Sequence, residues 1–157
     1  MMRKAAADSP GVTFPPPFMY IGFLVIGVVA DRLWPIGFGT STWQPWVGGA
    51  LIVAGLALMT VGMMTFRRAG TNVPPNRPAL TLVTDGPWRY SRNPLYLSLA
   101  LAFLGIGIAA NSLWIVVLLV PVLVIIRYAV IAREERYLET KFGEPYRRYR
   151  ASVRRWL

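Results

Sequence analysis

The sequence LTLVTDGPWRYSRNPLY occupies residues 80–96 and is the longest stretch in the middle of the chain that is not apolar. Asn93 favours a helix start because its side-chain oxygen accepts a hydrogen bond from a free N–H of the first turn. Pro94 suits the first helical position, and Gly86 with Pro87 marks a tight turn just upstream. The pattern predicts a helix N-terminus whose free N–H groups and partial positive charge suit a small polar ligand at a membrane surface.

Composition places the chain in the membrane class. Of its 157 residues, 55% are hydrophobic and 15% are charged, and the apolar residues fall in long runs. We therefore expect a single membrane domain over residues 1–157. Cysteine and histidine are both absent, which excludes a disulfide framework, a thiolate metal site and a histidine base. We expect no metal site, and we assign any catalysis to carboxylates, tyrosines, arginines or positioning.

Four apolar runs predict an all-α, polytopic membrane helical bundle with four transmembrane helices. The predicted spans lie at about residues 18–34, 46–66, 94–110 and 113–131, with a cytoplasmic motif at 67–93 and a cytoplasmic tail at 132–157. In the second span Gly48, Gly55 and Gly62 recur every seven residues. Small residues on one stripe predict close packing against another helix. In the fourth span Pro121 predicts a kink.

The basic residues predict the orientation. Five basic side chains and one acid lie between residues 66 and 92, and eight basic side chains follow residue 132, whereas the two opposite loops contain no lysine or arginine. This asymmetry predicts that both termini and the motif are cytoplasmic, in an integral protein of the bacterial inner (plasma) membrane. We attribute the net charge of +10 to these loops and to contact with anionic lipid headgroups, and not to nucleic acid.

The end of the chain predicts two further helices. Gly143 is typical of a helix end, and Glu144 with Pro145 is typical of the next helix start. Steps of four and three connect the apolar residues Phe142, Tyr146, Tyr149, Val153 and Trp156. One apolar face with arginines off it predicts a C-terminal interfacial amphipathic helix in the headgroup plane.

Only two residues separate the third and fourth spans, so their cytoplasmic ends are expected to be neighbours. This hairpin would bring Glu134, which follows the fourth span, beside the helix start at Asn93. A carboxylate beside a helix N-terminus suits a ligand that carries both charges. The spacing therefore predicts a ligand site at this end of the hairpin.

A second stretch, residues 131–149, reads IAREERYLETKFGEPYRRY. Together the two stretches resemble the isoprenylcysteine carboxyl methyltransferase and phospholipid N-methyltransferase superfamily of integral membrane enzymes. That superfamily carries a Leu-Val-Thr-x-Gly-x-Tyr-x-x-x-Arg-His-Pro-x-Tyr block and, further along, an acidic pair followed by Phe-Gly-x-x-Tyr-x-x-Tyr. The resemblance covers roughly the C-terminal half of the chain. It implies S-adenosyl-L-methionine as the cofactor and a lipid-like or prenylated methyl acceptor.

By motif position the resemblance assigns cofactor contacts to ten residues. These are Leu80, Thr81, Leu82, Val83, Trp88, Asn93, Pro94, Leu95, Tyr96 and Glu134. Three positions depart from the family pattern. Asn93 stands in place of a histidine and Trp88 in place of a tyrosine. Val130 falls where the carboxyl methyltransferases use an arginine near their substrate.

Arg127 is the candidate catalytic residue, because a charge within the last turns of an apolar span is costly and often functional. It would orient an anionic acceptor, and the alternative is that it snorkels to the headgroups. Glu135 is expected to face another side of the helix from Glu134 and to be structural. The alternative for Glu134 is a solvated ion pair with a neighbouring arginine. Arg92 is expected to be a simple positive-inside charge.

The predicted function is S-adenosylmethionine-dependent methyl transfer to a lipid-like or prenylated acceptor at the cytoplasmic membrane face, similar to isoprenylcysteine carboxyl methylation. Methyl transfer to a good nucleophile is an in-line displacement, so alignment and desolvation suffice without a strong base. One alternative is a phospholipid amine N-methyltransferase. The other is a non-enzymatic protein, either a small membrane transporter or an assembly subunit. The acceptor and the methylated atom remain open at this point.

Overall fold

A computed structural model describes residues 9–12, 14–39, 42–72 and 77–157. Within these ranges the chain forms helices and no strand, which confirms the all-α class. The elements are α1 (Pro16–Leu33), α2 (Gln44–Arg68), a 3₁₀ turn (Gly86–Arg89), α3 (Pro94–Ala109), α4 (Leu113–Ile125), a π-helical turn (Ile126–Ile131), α5 (Ala132–Phe142) and α6 (Glu144–Ser152). Residues 73–76 of the predicted cytoplasmic motif lie outside the described residues.

Three helical runs of the described chain are long and apolar enough to cross a membrane. They are Pro16–Leu33, Gln44–Arg68 and the continuous run Leu113–Phe142. Helix α3 is apolar but has only 16 residues, about 24 Å at 1.5 Å per residue, against a hydrocarbon core of about 30 Å. The chain is thus a helical membrane protein with three candidate spans, and the count of four spans stays a prediction.

The glycine stripe of α2 packs against α3. A Cβ atom on Gly48 would lie 2.5 Å from the carbonyl oxygen of Gly105, and one on Gly55 would lie 2.7 Å from that of Ser98. Gly62 instead faces the Leu95 side chain in the first turn of α3, whose Cδ2 would lie 2.6 Å from an added Cβ. The two backbones approach so closely that a methyl group has no room, which confirms the predicted close packing. This contact places the start of α3 against the end of α2.

We expect Gly48→Ala to destabilise the protein and Gly49→Ala to leave it unchanged or slightly more stable. The added methyl at position 48 overlaps α3, and overpacking of this kind costs about 1–3 kcal/mol. A Cβ on Gly49 meets nothing within 4 Å, so that variant gains only the better helix propensity of alanine. Unfolding of both variants in detergent measures the difference. Equal stability would show that α2 and α3 are not in close contact.

The continuous helical run that begins with α4 is irregular in its middle. The helix continues through Pro121, and five residues later Ile126–Ile131 form a π-helical turn. A π-helical turn accommodates an extra residue and rotates the following helix relative to the preceding one. The turn therefore sets the direction in which Glu134 and Glu135, at the start of α5, project.

The C-terminal helix α6 packs against the protein. Tyr146 and Tyr149 are buried in a cluster with Val83 and Trp88. The Tyr149 hydroxyl donates a hydrogen bond to the Trp88 carbonyl oxygen at 2.9 Å, and burial raises the pKa of Tyr149 so that the hydroxyl stays protonated. The prediction that this apolar face lies in the headgroup plane is therefore wrong for these tyrosines. The spacing shows that one face is apolar but does not identify what covers it.

Candidate functional site

A cavity of about 510 Å³ lies at the end of the bundle where α3 begins. Its walls come from the end of α2, residues 77–83, the start of α3, and helices α5 and α6. The volume is typical of sites that hold a small organic ligand. Elements far apart in sequence therefore enclose one site.

The start of α3 forms one part of the wall. Helix α3 begins at Pro94 with Asn93 before it, as predicted, but no side chain caps the helix. Asn93 Nδ2 instead donates a hydrogen bond to the carbonyl oxygen of Arg155 at 2.9 Å. The predicted capping role of the Asn93 side chain is wrong, because a partner distant in sequence takes its carboxamide. Among the described residues, the first turn of α3 consequently receives no side-chain cap.

Glu134 lies beside Tyr96, one turn into α3. The Tyr96 hydroxyl donates a hydrogen bond to Glu134 Oε1 at 2.6 Å, a length typical of a bond to a carboxylate. Both residues line the cavity, and Glu134 is half-buried. The neighbouring Arg133 donates to the carbonyl oxygen of Gly11 instead. The structure therefore places Glu134 in the cavity wall, with one carboxylate oxygen bound to Tyr96.

Glu135 is buried and lies between two arginines. Arg155 donates from Nε and Nη2 to the two carboxylate oxygens of Glu135 at 2.9 and 2.8 Å. Arg92 Nη1 lies 3.2 Å from Glu135 Oε1. Glu135 also lines the cavity, and its structural role stays a prediction that these ion pairs support.

Arg92 corrects a second expectation. Its side chain is only 10% exposed, lines the cavity and pairs with Glu135, so it is not a simple positive-inside charge. Its Nε and Nη1 atoms are buried and have no hydrogen-bond partner among the described residues. A largely buried guanidinium in the wall of a cavity is suited to an anionic ligand group.

An aromatic wall completes the site. Trp88 is buried, and its ring centroid lies 4.5 Å from that of Phe66 at the end of α2. The turn before it depends on Gly86, whose φ of 58° favours glycine. The Trp88 side chain therefore presents a fixed apolar surface to the cavity.

The structure brings together nine of the ten residues assigned to the cofactor. These are Thr81, Leu82, Val83, Trp88, Asn93, Pro94, Leu95, Tyr96 and Glu134. Leu80 is exposed and is not among the lining residues. Arg127 is also exposed and outside the lining, with its guanidinium 5.4 Å from the ring centroid of Tyr128. The structure does not bring Arg127 to the cavity, and its catalytic role stays a prediction.

Sequence reasoning missed several residues of the wall. Met59, Met63 and Phe66 come from α2, where an apolar side chain that lines a cavity has the same pattern as one that faces lipid. Tyr146 and Tyr149 belong to the second motif stretch, and that membership was the available signal. Their hydroxyls and rings were instead interpreted as part of a headgroup-facing surface.

The helices and the cavity define a helical membrane protein with a small-molecule site at one end of its bundle. A sequence model of the phospholipid methyltransferase family matches residues 43–145, which include most of that site. The chain belongs to this family. No solved structure matches it.

Three relatives extend the comparison. The cobalt-zinc-cadmium resistance protein CzcN of Cupriavidus metallidurans is 34% identical over 121 residues, which cover 74% of this chain and 54% of that protein. The nickel-cobalt-cadmium resistance protein NccN of Alcaligenes xylosoxydans xylosoxydans is 27% identical over 107 residues, which cover 68% of this chain and 50% of that protein. An uncharacterized protein of Haemophilus influenzae is 50% identical over 64 residues, which cover 40% of this chain and 100% of that protein. The chain spans about half the length of both metal-resistance relatives.

Proposed function

We propose that this protein is a membrane methyltransferase that uses S-adenosyl-L-methionine to methylate a lipid-like acceptor. One observation carries the proposal. Nine residues that the family resemblance assigns to the cofactor, drawn from residues 81–96 and from α5, line a single cavity of about 510 Å³. Members of the phospholipid methyltransferase family, to which the chain belongs, use this cofactor.

The groups that line the cavity fit the cofactor. Bound S-adenosylmethionine supplies a methyl group on an electrophilic sulfonium. Glu134, held by Tyr96, offers an acceptor oxygen for its amine or ribose hydroxyls. Arg92, which lines the cavity, offers a positive charge for its carboxylate, and the buried Trp88 offers an apolar surface for its base.

Methyl transfer requires the protein to align the two reactants and to exclude water from them. The groups around the cavity hold polar atoms at fixed positions, and the apolar wall restricts water near the reacting methyl. No histidine is present to act as a base, so we propose that the acceptor brings its own nucleophile. An amine or a carboxylate of an amphiphile meets this requirement.

The acceptor would enter from the bilayer. Met59, Met63 and Leu99 give the cavity an apolar side formed by the two closely packed helices α2 and α3. We propose a prenylated carboxylate or a phospholipid amine as the acceptor class. The valine at position 130, where carboxyl methyltransferases use an arginine, favours the amine.

We further propose that the site faces the cytoplasm, in the bacterial inner membrane. Basic residues of the loop that precedes α3 and of the tail beyond α5 support this orientation by the positive-inside rule. In this position the cavity is open to the cytoplasmic cofactor pool, and the surrounding arginines contact anionic headgroups.

The test is methyl transfer by the purified full chain in lipid nanodiscs. The protein receives S-adenosylmethionine with a labelled methyl and a bacterial lipid extract, and the lipid fraction is separated and counted. We expect label in one lipid class, and loss of that label in Glu134→Gln. Cofactor binding without labelled lipid would indicate that the acceptor is an amphiphile of a class absent from the extract. Absence of both binding and transfer would favour the non-enzymatic alternative, a transporter or assembly subunit.

A further inference from the structure

The C-terminal segment, residues 153–157, lies against the polar residues that precede α3. The backbone N–H of Arg92 donates to the carbonyl oxygen of Arg154 at 3.0 Å. The Ser91 hydroxyl and the Asn93 carboxamide both donate to the carbonyl oxygen of Arg155, at 3.3 and 2.9 Å. These bonds join positions about sixty residues apart and hold the backbone of Arg155 beside the start of α3, with its side chain on Glu135.

The Arg155 side chain makes a two-pronged contact with Glu135. Its Nε and Nη2 atoms lie 2.9 and 2.8 Å from the two carboxylate oxygens. A bidentate arginine–carboxylate pair fixes direction as well as distance. The hydrogen bond to Glu135 raises the pKa of Arg155. Glu135 therefore has one defined orientation.

The orientation of Glu135 in turn holds Arg92. Arg92 Nη1 lies 3.2 Å from the same Glu135 oxygen that accepts from Arg155 Nε. This contact is an ion pair without hydrogen-bond geometry, since Nε and Nη1 of Arg92 are buried and have no hydrogen-bond partner in the described part of the chain. The Arg92 side chain is 10% exposed and lines the cavity, where its positive charge suits an anionic group.

We propose that Arg155 is a positioning residue for the cofactor site. Its side chain fixes Glu135, and Glu135 holds the Arg92 guanidinium where it recognises the cofactor's carboxylate. The inference rests on the proposed function. The family match ends at residue 145, so it does not include Arg155.

The experiment compares two ligands that differ only in the carboxylate: S-adenosylmethionine and decarboxylated S-adenosylmethionine. Their dissociation constants are measured with the full chain in detergent. The dissociation constant of the decarboxylated ligand divided by that of S-adenosylmethionine reports recognition of the carboxylate. We expect Arg155→Ala to lower this ratio about tenfold, the effect of one weakened charge-assisted hydrogen bond. The matched control is Arg154→Ala, which removes the same charge from an exposed neighbour and should leave the ratio unchanged.

A double-mutant cycle tests the route through Arg92. In an Arg92→Gln background, Arg155→Ala should change the ratio no further, because the group it positions is gone. A further fall in the ratio would show that Arg155 acts by another path and would overturn the inference. If the alanine variant does not fold, Arg155→Lys takes its place. Lysine keeps the positive charge but loses the two-pronged contact with the carboxylate, so this variant should give an intermediate ratio.

The outcomes separate the two proposals. If affinity for both ligands falls equally in Arg155→Ala, the residue only stabilises the fold and the inference is overturned, while the proposed function stands. If the parent protein binds neither ligand, the proposed function fails and the inference fails with it.

Discussion

Glu134→Gln is expected to lower affinity for S-adenosylmethionine roughly tenfold to a hundredfold. The substitution keeps the shape of the side chain and removes its charge. A hydrogen bond to a charged group contributes about 1.5–3 kcal/mol, which converts to that range of affinity. The Tyr96 hydroxyl fixes the side chain at position 134 through a hydrogen bond of 2.6 Å. A change of rotamer at that position therefore does not restore the lost interaction with the cofactor. Calorimetry on the purified protein in detergent measures the effect.

A second carboxylate on the same helix provides the control. Glu139 pairs with Arg150 at 2.9 Å and is not among the residues that line the cavity. We expect Glu139→Gln to bind the cofactor like the parent. Parental affinity in Glu134→Gln would remove Glu134 from the cofactor site. Equal losses in both variants would indicate a general effect on α5.

The second large effect is on stability. We expect Glu135→Ala to lower the free energy of unfolding by about 3–5 kcal/mol, the range found when one partner of a buried ion pair is removed. The variant leaves Arg92, whose side chain is 10% exposed, with no counter-charge among the described residues, and it deprives Arg155 of its two hydrogen bonds to Glu135. Chemical unfolding in mixed micelles, followed by tryptophan fluorescence, measures the change.

Glu144→Ala is the comparison for that measurement. Glu144 also pairs with two arginines, Arg147 and Arg148, and these hydrogen bonds lower its pKa. The group is exposed, so water and salt screen the pairs and their removal should leave unfolding unchanged. If Glu135→Ala were no more destabilising than Glu144→Ala, the buried network would contribute nothing to the stability of the fold.

Patterns local to one helix were enough to predict much of the architecture. The long apolar runs indicate a helical membrane protein because a chain in lipid has to satisfy its backbone groups internally. The repeat of Gly48, Gly55 and Gly62 indicates one stripe, and the structure confirms that α3 packs on it. Pro94 starts α3 because its ring suits the first helical turn. Such features depend only on residues a few positions apart.

The sequence also determined where the site lies. The two motif stretches, read with the family resemblance, identified residues of which all but Leu80 line one cavity. Polar residues with catalytic or binding potential are easy to identify in a mostly apolar chain. The two-residue connection between the third and fourth spans then predicted that those at the ends of the two spans lie close together.

Only the tertiary structure decided which partner each polar group takes. Asn93 is a good cap by local preference, yet its carboxamide binds the Arg155 carbonyl. Arg92 has the pattern of a loop charge, yet it is buried against Glu135. The apolar face of α6 packs on Trp88 instead of headgroups. In each case the partner lies more than forty residues away, and a hydrogen bond at that separation depends on how the helices pack and leaves no local signature in the sequence.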